Sequence, residues 1–317
     1  RILKDPDGSS MITTPDGKVI VYVPGPDPRF NMQTPVAKEF TIDTPGRLRY
    51  SLIGGRTAIL SDPNDVTSLF SLTETMAVNG RTYTKNYDYG SRTYTSTTPQ
   101  GRMNLRVIDS LGRPTQIQFA DLYPVQYSFD TKGRLANSRV GTGEQERFMS
   151  YGYNTQGVLE TITDPLGRMT TFQYDNAGRI TRKILPDGNE ISMSYDANGN
   201  LTSILPPGRP AHTFIYNGMD YQAEYTPPDV GLATESTRYS YNVDGQLIEI
   251  LRPDGQSVNF IYDSSGRLVE VNSPNVRNVR TYNATTGNIQ TLADIQGGIL
   301  TLGFDGSLPV SQNWAGS

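Results

Sequence analysis

Three times between Tyr153 and Leu201 the chain runs through an aromatic residue, an Asx residue, two variable residues, a glycine, one further residue and a branched aliphatic. The copies are Tyr153-Asn154-Thr155-Gln156-Gly157-Val158-Leu159, Tyr174-Asp175-Asn176-Ala177-Gly178-Arg179-Ile180 and Tyr195-Asp196-Ala197-Asn198-Gly199-Asn200-Leu201. Their tyrosines are evenly spaced, 174 − 153 = 21 and 195 − 174 = 21. A fixed period near twenty residues makes each unit one supersecondary element that buries surface against its neighbours. Asp or Asn opens a tight turn by bonding the backbone ahead of it, and glycine closes it with a positive φ. A second turn, Leu185-Pro186-Asp187-Gly188, falls between two copies. Each unit therefore reads strand, turn, strand, turn.

The strands line up in columns. Two residues before the motif tyrosines stand Phe172, Met193, Phe214 and Phe260; four before stand Thr170, Ile191, His212 and Val258. This alternation puts a mainly apolar set on one, buried, face and Gln173, Ser194 and Asn259 on the other. Regular copies return at Tyr241-Asn242-Val243-Asp244-Gly245 and Tyr262-Asp263-Ser264-Ser265-Gly266-Arg267, again 262 − 241 = 21 apart. Tyr216-Asn217 opens a copy whose glycine, Gly218, comes at once, and Tyr221 to Leu232 reads as an inserted loop. Upstream the grammar is worn: Ile42-Asp43-Thr44-Pro45-Gly46-Arg47-Leu48, Ile108 to Arg113 and Phe129 to Leu135 match with the aromatic relaxed. Asn79-Gly80 is a two-residue hairpin signal. Pro24-Gly25-Pro26-Asp27-Pro28 is expected to interrupt the strand begun at Val19. No segment keeps a helical period, so the fold class is all-β, built from antiparallel hairpin repeats.

Composition agrees. Hydrophobic content is 35%, with 31 glycines and 21 prolines in 317 residues. That suits a protein turning every ten residues, and the length leaves material for a buried core. The net charge of −4 gives no electrostatic reason to expect nucleic acid or an anionic membrane. No apolar run approaches bilayer length, so membrane insertion is not expected. The chain starts at Arg1 without a signal peptide and reads as an excised or processed piece. Having no cysteine, it makes no disulfide and does no thiol chemistry.

The Tyr-Asp-x-x-Gly-Arg-Leu motif at 21-residue spacing, alternating with Pro-Asp-Gly turns, resembles the YD-repeat (Rhs) family of bacterial Rhs polymorphic toxins, Tc-toxin cocoon components and teneurins. The resemblance covers about 105 to 290 closely and the rest loosely. It implies a long antiparallel sheet spiralling into a hollow shell. In bacterial members the shell encloses a toxic C-terminal polypeptide; in teneurins it is an extracellular scaffold. At roughly 4.8 Å between strands and about two strands per repeat, the chain makes about 30 strands, enough for about one turn of spiral. One shell segment is thus expected over 1–317, with degenerate repeats over 1–104, regular ones over 105–290, and edge or C-terminal strands over 291–317. The expected partners are further YD-repeat chain or neighbouring domains, an enclosed toxin polypeptide, and glycans. The implied location is secreted or at the cell surface of a bacterium.

Chemistry finds few footholds. His212 is the only histidine and shares a column with Ile191 and Val258, as a packed sheet residue would. With no Gly-x-Ser-x-Gly elbow beside it, hydrolase chemistry is not expected. Asp164-Pro165-Leu166-Gly167 is similar to the Asp-Pro motif at which some Rhs shells cleave themselves, but Arg168 replaces the aliphatic residue of that motif, and a hairpin turn accounts for the segment. The motif Asx residues lack EF-hand spacing and cap their own turns. The Gly-Arg pairs at 133, 167, 178 and 266 lay arginine stems across neighbouring strands. Asn200 and Asn283 open formal glycosylation sequons. Tyr83, Tyr87, Tyr89 and Tyr94, interleaved with Arg81, Lys85 and Arg92, form either a ligand-facing surface suited to sugars or a two-faced strand pair. The expected reading is a structural protein without catalysis or cofactor.

Overall fold

The computed structural model describes residues 1–141, 143–229 and 236–316. Among these described residues there are 28 strands. The one helical piece among the described residues is the short 3-10 turn Gly143–Gln145. The N-terminal strands are β1 (Ile2–Lys4), β2 (Ser10–Thr13), β3 (Val19–Asp27), β4 (Asn31–Asp43) and β5 (Arg49–Leu60). They are followed by β6 (Leu69–Val78), β7 (Arg81–Asp88), β8 (Thr93–Thr97), β9 (Met103–Ile108) and β10 (Pro114–Phe119). Each pairs antiparallel with the next in the chain. The motif-bearing strands that follow pair in the same manner.

The turns explain the glycines. At the Tyr174 copy, the Asp175 N–H donates to the Arg179 carbonyl and the Gly178 N–H to the Asp175 carbonyl, each at 3.0 Å. Gly178 then sits at φ 79°, where a Cβ is penalised. Strand register slips between Gln173 and Tyr174, so the turn carries a β-bulge. Gly157, Gly199, Gly245 and Gly266 occupy the same place in their copies, at φ 76–98°. Leu185-Pro186-Asp187-Gly188 closes with the equivalent bonds, Leu185 N–H to Asn189 O at 2.8 Å and Gly188 N–H to Leu185 O at 2.9 Å. At the Asn79-Gly80 hairpin both residues have positive φ, 48° and 78°.

Several local expectations are corrected. β3 runs through Pro24 and Pro26 to Asp27, with register shifts instead of a break. The prolines fit because β2 has already ended opposite Tyr22, leaving one side of β3 without a ladder to interrupt. The stretch after Tyr216 is not a loop from Tyr221: Gln222–Thr226 is a strand paired to His212–Tyr216 and to Thr237–Tyr241. Residues 230–232 of that expected loop lie outside the described residues. Tyr216 follows Tyr195 by 216 − 195 = 21, and its glycine slot is filled by Asp220 at φ 60°, not by Gly218. Aspartate tolerates this left-handed geometry better than most side chains. In the copy near Ile42 the positive φ falls on Arg47 (69°), one residue past Gly46. The turn is anchored by Thr44, whose hydroxyl accepts the Leu48 N–H at 3.0 Å.

The apolar columns alternate as expected but are not sealed. Among the described residues no hydrophobic side chain is buried. Phe172, Met193, Phe214 and Phe260 are half-buried, while Gln173, Ser194 and Asn259 are exposed. Cross-strand neighbours cover their flanks: Met193 faces Ile204, Phe260 faces Val271, and the Phe214 ring stacks 5.3 Å from that of Tyr225. Among the described residues nothing seals their tips. The accessible surface of 20351 Å² compares with roughly 13,000 Å² for a globular chain of this mass.

The chain divides into two compact units. The first is Arg1–Ser150 with Asp305–Leu308, the second Tyr151–Phe304 with Pro309–Ser317. In the first, the Asp305 carboxylate accepts the Gly46 N–H at 2.6 Å and the Thr44 hydroxyl, and Lys18 Nζ donates to Ser307 Oγ at 2.9 Å. Thr44 is one of three buried polar residues described, all in this unit.

Candidate functional site

The repeat motif assembles a lattice of side-chain contacts. Asp175 Oδ1 accepts the N–H groups of Ala177 (2.9 Å) and Arg179 (3.0 Å), and Oδ2 accepts Arg179 Nε at 2.7 Å. Asp109, Asp130, Asp164 and Asp263 hold Arg113, Arg134, Arg168 and Arg267 alike. The Arg179 N–H above all, against partial desolvation, and then its guanidinium hold the Asp175 carboxyl below its ordinary value of 3.8. For Asp164 and Asp263 the arginine guanidinium is the largest cause of the same lowering. Each of these carboxylates is committed to its own turn. Where the arginine is absent, side-chain amides stand in, Asn200 Nδ2 donating to Asp196 Oδ2 and Asn242 Nδ2 to Gln246 Oε1, while Asn154 and Asn242 keep the Oδ1 bond to the N–H four residues on.

Two links to neighbouring repeats were not legible as contacts. Tyr174, Tyr195, Tyr216, Tyr241 and Tyr262 donate their hydroxyls to the carbonyls of Leu159, Ile180, Leu201, Gln222 and Leu247, at 2.6–3.0 Å. This explains tyrosine in the motif where phenylalanine would serve for packing alone. The signal was present: each acceptor ends its own heptapeptide. In the other direction Arg179 lies 4.8 Å over the Tyr195 ring and Arg267 4.6 Å over that of Tyr282. Arg179 Nη1 also reaches the Asp196 carbonyl at 3.2 Å, and Gln246 Nε2 the Gly266 carbonyl at 2.9 Å.

Other candidates fall in ordinary surroundings. Asp164 accepts the N–H groups of Leu166 (2.8 Å) and Arg168 (3.0 Å), and Gly167 has φ 75°. His212 Nδ1 lies 2.9 Å from the Tyr225 hydroxyl, its ring parallel to that tyrosine. The Asn200 amide is tied to Asp196 and, at 2.8 Å, to Asp220 in the next turn. Among the described residues no group of three or more acidic or histidine side chains is arranged to hold a metal.

The tyrosine-rich hairpin divides its rings. Ladder register puts Tyr83, Tyr87 and Tyr94 on one face: Tyr83 opposes Met76, and Tyr87 opposes Tyr94. Tyr87 and Tyr94 stack at 4.4 Å, and burial pushes the Tyr87 hydroxyl up. Lys85 Nζ and the Arg106 guanidinium lie 5.2 and 5.8 Å from the Tyr94 centroid. Tyr89 lies in the turn beyond β7 and is 56% exposed. Beside this face runs a charge chain. Asp27, 2% exposed, accepts Arg56 Nη1 and the Arg29 N–H, each at 2.8 Å. Arg56 also pairs with Glu74, which lies 3.5 Å from Lys85 Nζ. Burial alone would raise the Asp27 pKa, but these donors hold it below its ordinary value. A hollow of about 600 Å³ opens here, its lining running from β4 to β9 and including Leu52, Arg56, Met76, Tyr83 and Lys85. A Cβ on Gly54 in its wall would collide with the Ala37 carbonyl, so the backbone approach requires glycine.

The strand ladder has counterparts in known proteins. The crystal structure of TcdB2-TccC3-TEV superposes with a TM-score of 0.60 over 97% of this chain and 22% of that one, at 13% identity. TcdB2-TccC3-Cdc42 gives 0.51 over 96% and 20%, at 12% identity. These likenesses concern the fold. In sequence, double-stranded DNA deaminase toxin A of Burkholderia cenocepacia (strain H111) is 28% identical over 130 residues, and Teneurin-4 of Homo sapiens 27% over 131. The matches take in 40% and 41% of this chain but 8% and 5% of those relatives. The Teneurin YD-shell model covers residues 29–316, and the chain belongs to that family.

Proposed function

We propose that the chain is a non-catalytic wall segment of a hollow YD-repeat shell enclosing a C-terminal polypeptide, in a secreted or surface-exposed bacterial protein. The supporting observation is a ladder of 28 strands with no buried apolar side chain among the described residues, alike in fold over 97% of its length to 22% of a much longer chain. On this reading residues 1–317 are one shell segment, whose regular repeats lie over 105–290. The remaining wall is further YD-repeat chain or neighbouring domains. The strand Leu308–Ala315, exposed at every residue, suits pairing with such an addition. Any chemistry resides in the enclosed polypeptide. The test is protease protection. A cleavable reporter placed downstream of Ser317 in the full-length protein should resist added protease until denaturant opens the shell. Immediate cleavage in the native protein would overturn enclosure.

A second reading, an adhesion or glycan-binding scaffold, draws support from the Teneurin-4 likeness. Tyr83 and Tyr89, 39% and 56% exposed, would supply the sugar-facing rings. Binding on a glycan array, lost in Tyr83→Ala and Tyr89→Ala, is the outcome that reading requires.

A further inference from the structure

One face of the first unit carries positive charge out of keeping with the rest of the chain. Residues directly opposite in an antiparallel ladder point to the same side of the sheet. The register therefore places Arg56 of β5, Arg81 and Lys85 of β7 and Arg106 of β9 on one side, together with Tyr83 and Tyr94. Across β5–β10 the carboxylate on that side is Glu74. Counting also Asp27 of β3, which pairs with Arg56, four cations against two carboxylates leave 4 − 2 = +2, on a chain of net charge −4. Arg56 is held by Asp27 and Glu74, and Lys85 shares Glu74. Arg81 and Arg106 are exposed and pair with no carboxylate among the described residues. The hollow of about 600 Å³ near Tyr83 adjoins, through Lys85, one of about 410 Å³ holding Tyr94, Arg106 and Phe119.

We propose that this face docks an acidic polypeptide segment carrying aromatic or other apolar side chains. Charge complementarity selects an anion. The lining selects its class. Leu52, Met76 and Val36 offer hydrocarbon, while the lining carboxylate, Glu74, is already taken by Arg56 and Lys85 and is not free to hold sugar hydroxyl groups. Met76, 41% exposed, adapts to varied side chains. Tyr94 already faces Tyr87 and two cations, so it presents no free platform for a pyranose ring or a base. Single-stranded nucleic acid needs successive free rings. An acidic peptide needs less: Arg81 and Arg106 receive carboxylates while the hollow beside Tyr83 takes an apolar side chain. The inference needs only this face and holds whether or not the protein encloses a cargo.

The experiment is fluorescence anisotropy on the full 317-residue chain, with a labelled random copolymer of glutamate and tyrosine as probe. Binding at low ionic strength should weaken steeply as salt is raised and should exceed that of polyglutamate. Arg81→Glu and Arg106→Glu should each weaken it about tenfold. Thr82→Glu, on the opposite side of β7, should change it less than about twofold. Each variant is first checked for unchanged circular dichroism and melting, and the two arginine reversals test the face independently. Absence of copolymer binding, indifference to both reversals, or an equal loss in Thr82→Glu would overturn the proposal. Tighter binding of hyaluronate or oligothymidylate than of the copolymer would overturn its choice of occupant.

Discussion

At the scale of single residues, the motif is a set of side chains each bonded to the main chain. The Tyr195 hydroxyl, 2.8 Å from the Ile180 carbonyl, fastens one repeat to the one before it. Tyr195→Phe keeps the ring and should cost about 1 kcal/mol in a urea titration; no change would mean the bond is made equally well to water. The motif aspartates predict a pH window. Folded pKa values depressed below 3.8 mean stability that is fully present above that value and lost as pH falls below it. Urea midpoints should be level between about pH 5 and 7 and fall below about pH 4. Asp175→Asn with Asp263→Asn should flatten that fall.

At the scale of the turn and strand, most of the design was legible. Asx, glycine and a 21-residue spacing locate nearly every bend of the second unit. Where the reading failed, a different residue did the same job: Asp220 and Arg47 took a left-handed position that only glycine was expected to fill. Pro24 and Pro26 misled because the penalty for proline in a strand vanishes where the neighbouring strand has ended, and strand length is not written locally. Tyrosine–carbonyl bonds left only a positional signal, the acceptor ending the preceding heptapeptide, since a backbone atom leaves no trace in composition. Gly178 gives a test of the turn itself. Nothing lies within 4 Å of a Cβ built there, so the cost of Gly178→Val is set by backbone strain. It should be about 1–3 kcal/mol, while Asn176→Ala, in the exposed middle of the same turn, should be nearly silent. Equal effects in thermal melts would remove the turn from its central place.

At the scale of the whole molecule, the sealed apolar face read from the columns is missing because burial depends on what lies above a sheet, which alternation does not encode. Repeats are held by ladder bonds, flank contacts and side-chain links between adjacent turns, so each depends mainly on its neighbours. Phe172 is half-buried and faces Lys183 across the ladder. Phe172→Ala should therefore cost about 1–2 kcal/mol in urea, below the ~3–5 kcal/mol of a sealed phenylalanine. A loss at the upper figure would show that another layer covers the face.

The contact of Asp305 with Thr44 and Gly46 joins residues 261 and 259 positions apart. Such a bond sets a clock on biosynthesis. At about 5–20 residues per second, the turn at Thr44 leaves the ribosome roughly 15–50 s before its carboxylate partner has been made. Through that interval the Thr44 hydroxyl keeps only its bonds to Leu48 within the turn, and the Gly46 N–H has water, or whatever chaperone or nascent strand comes first. The first unit is thus begun by one stretch of chain and closed by another made some 260 residues later.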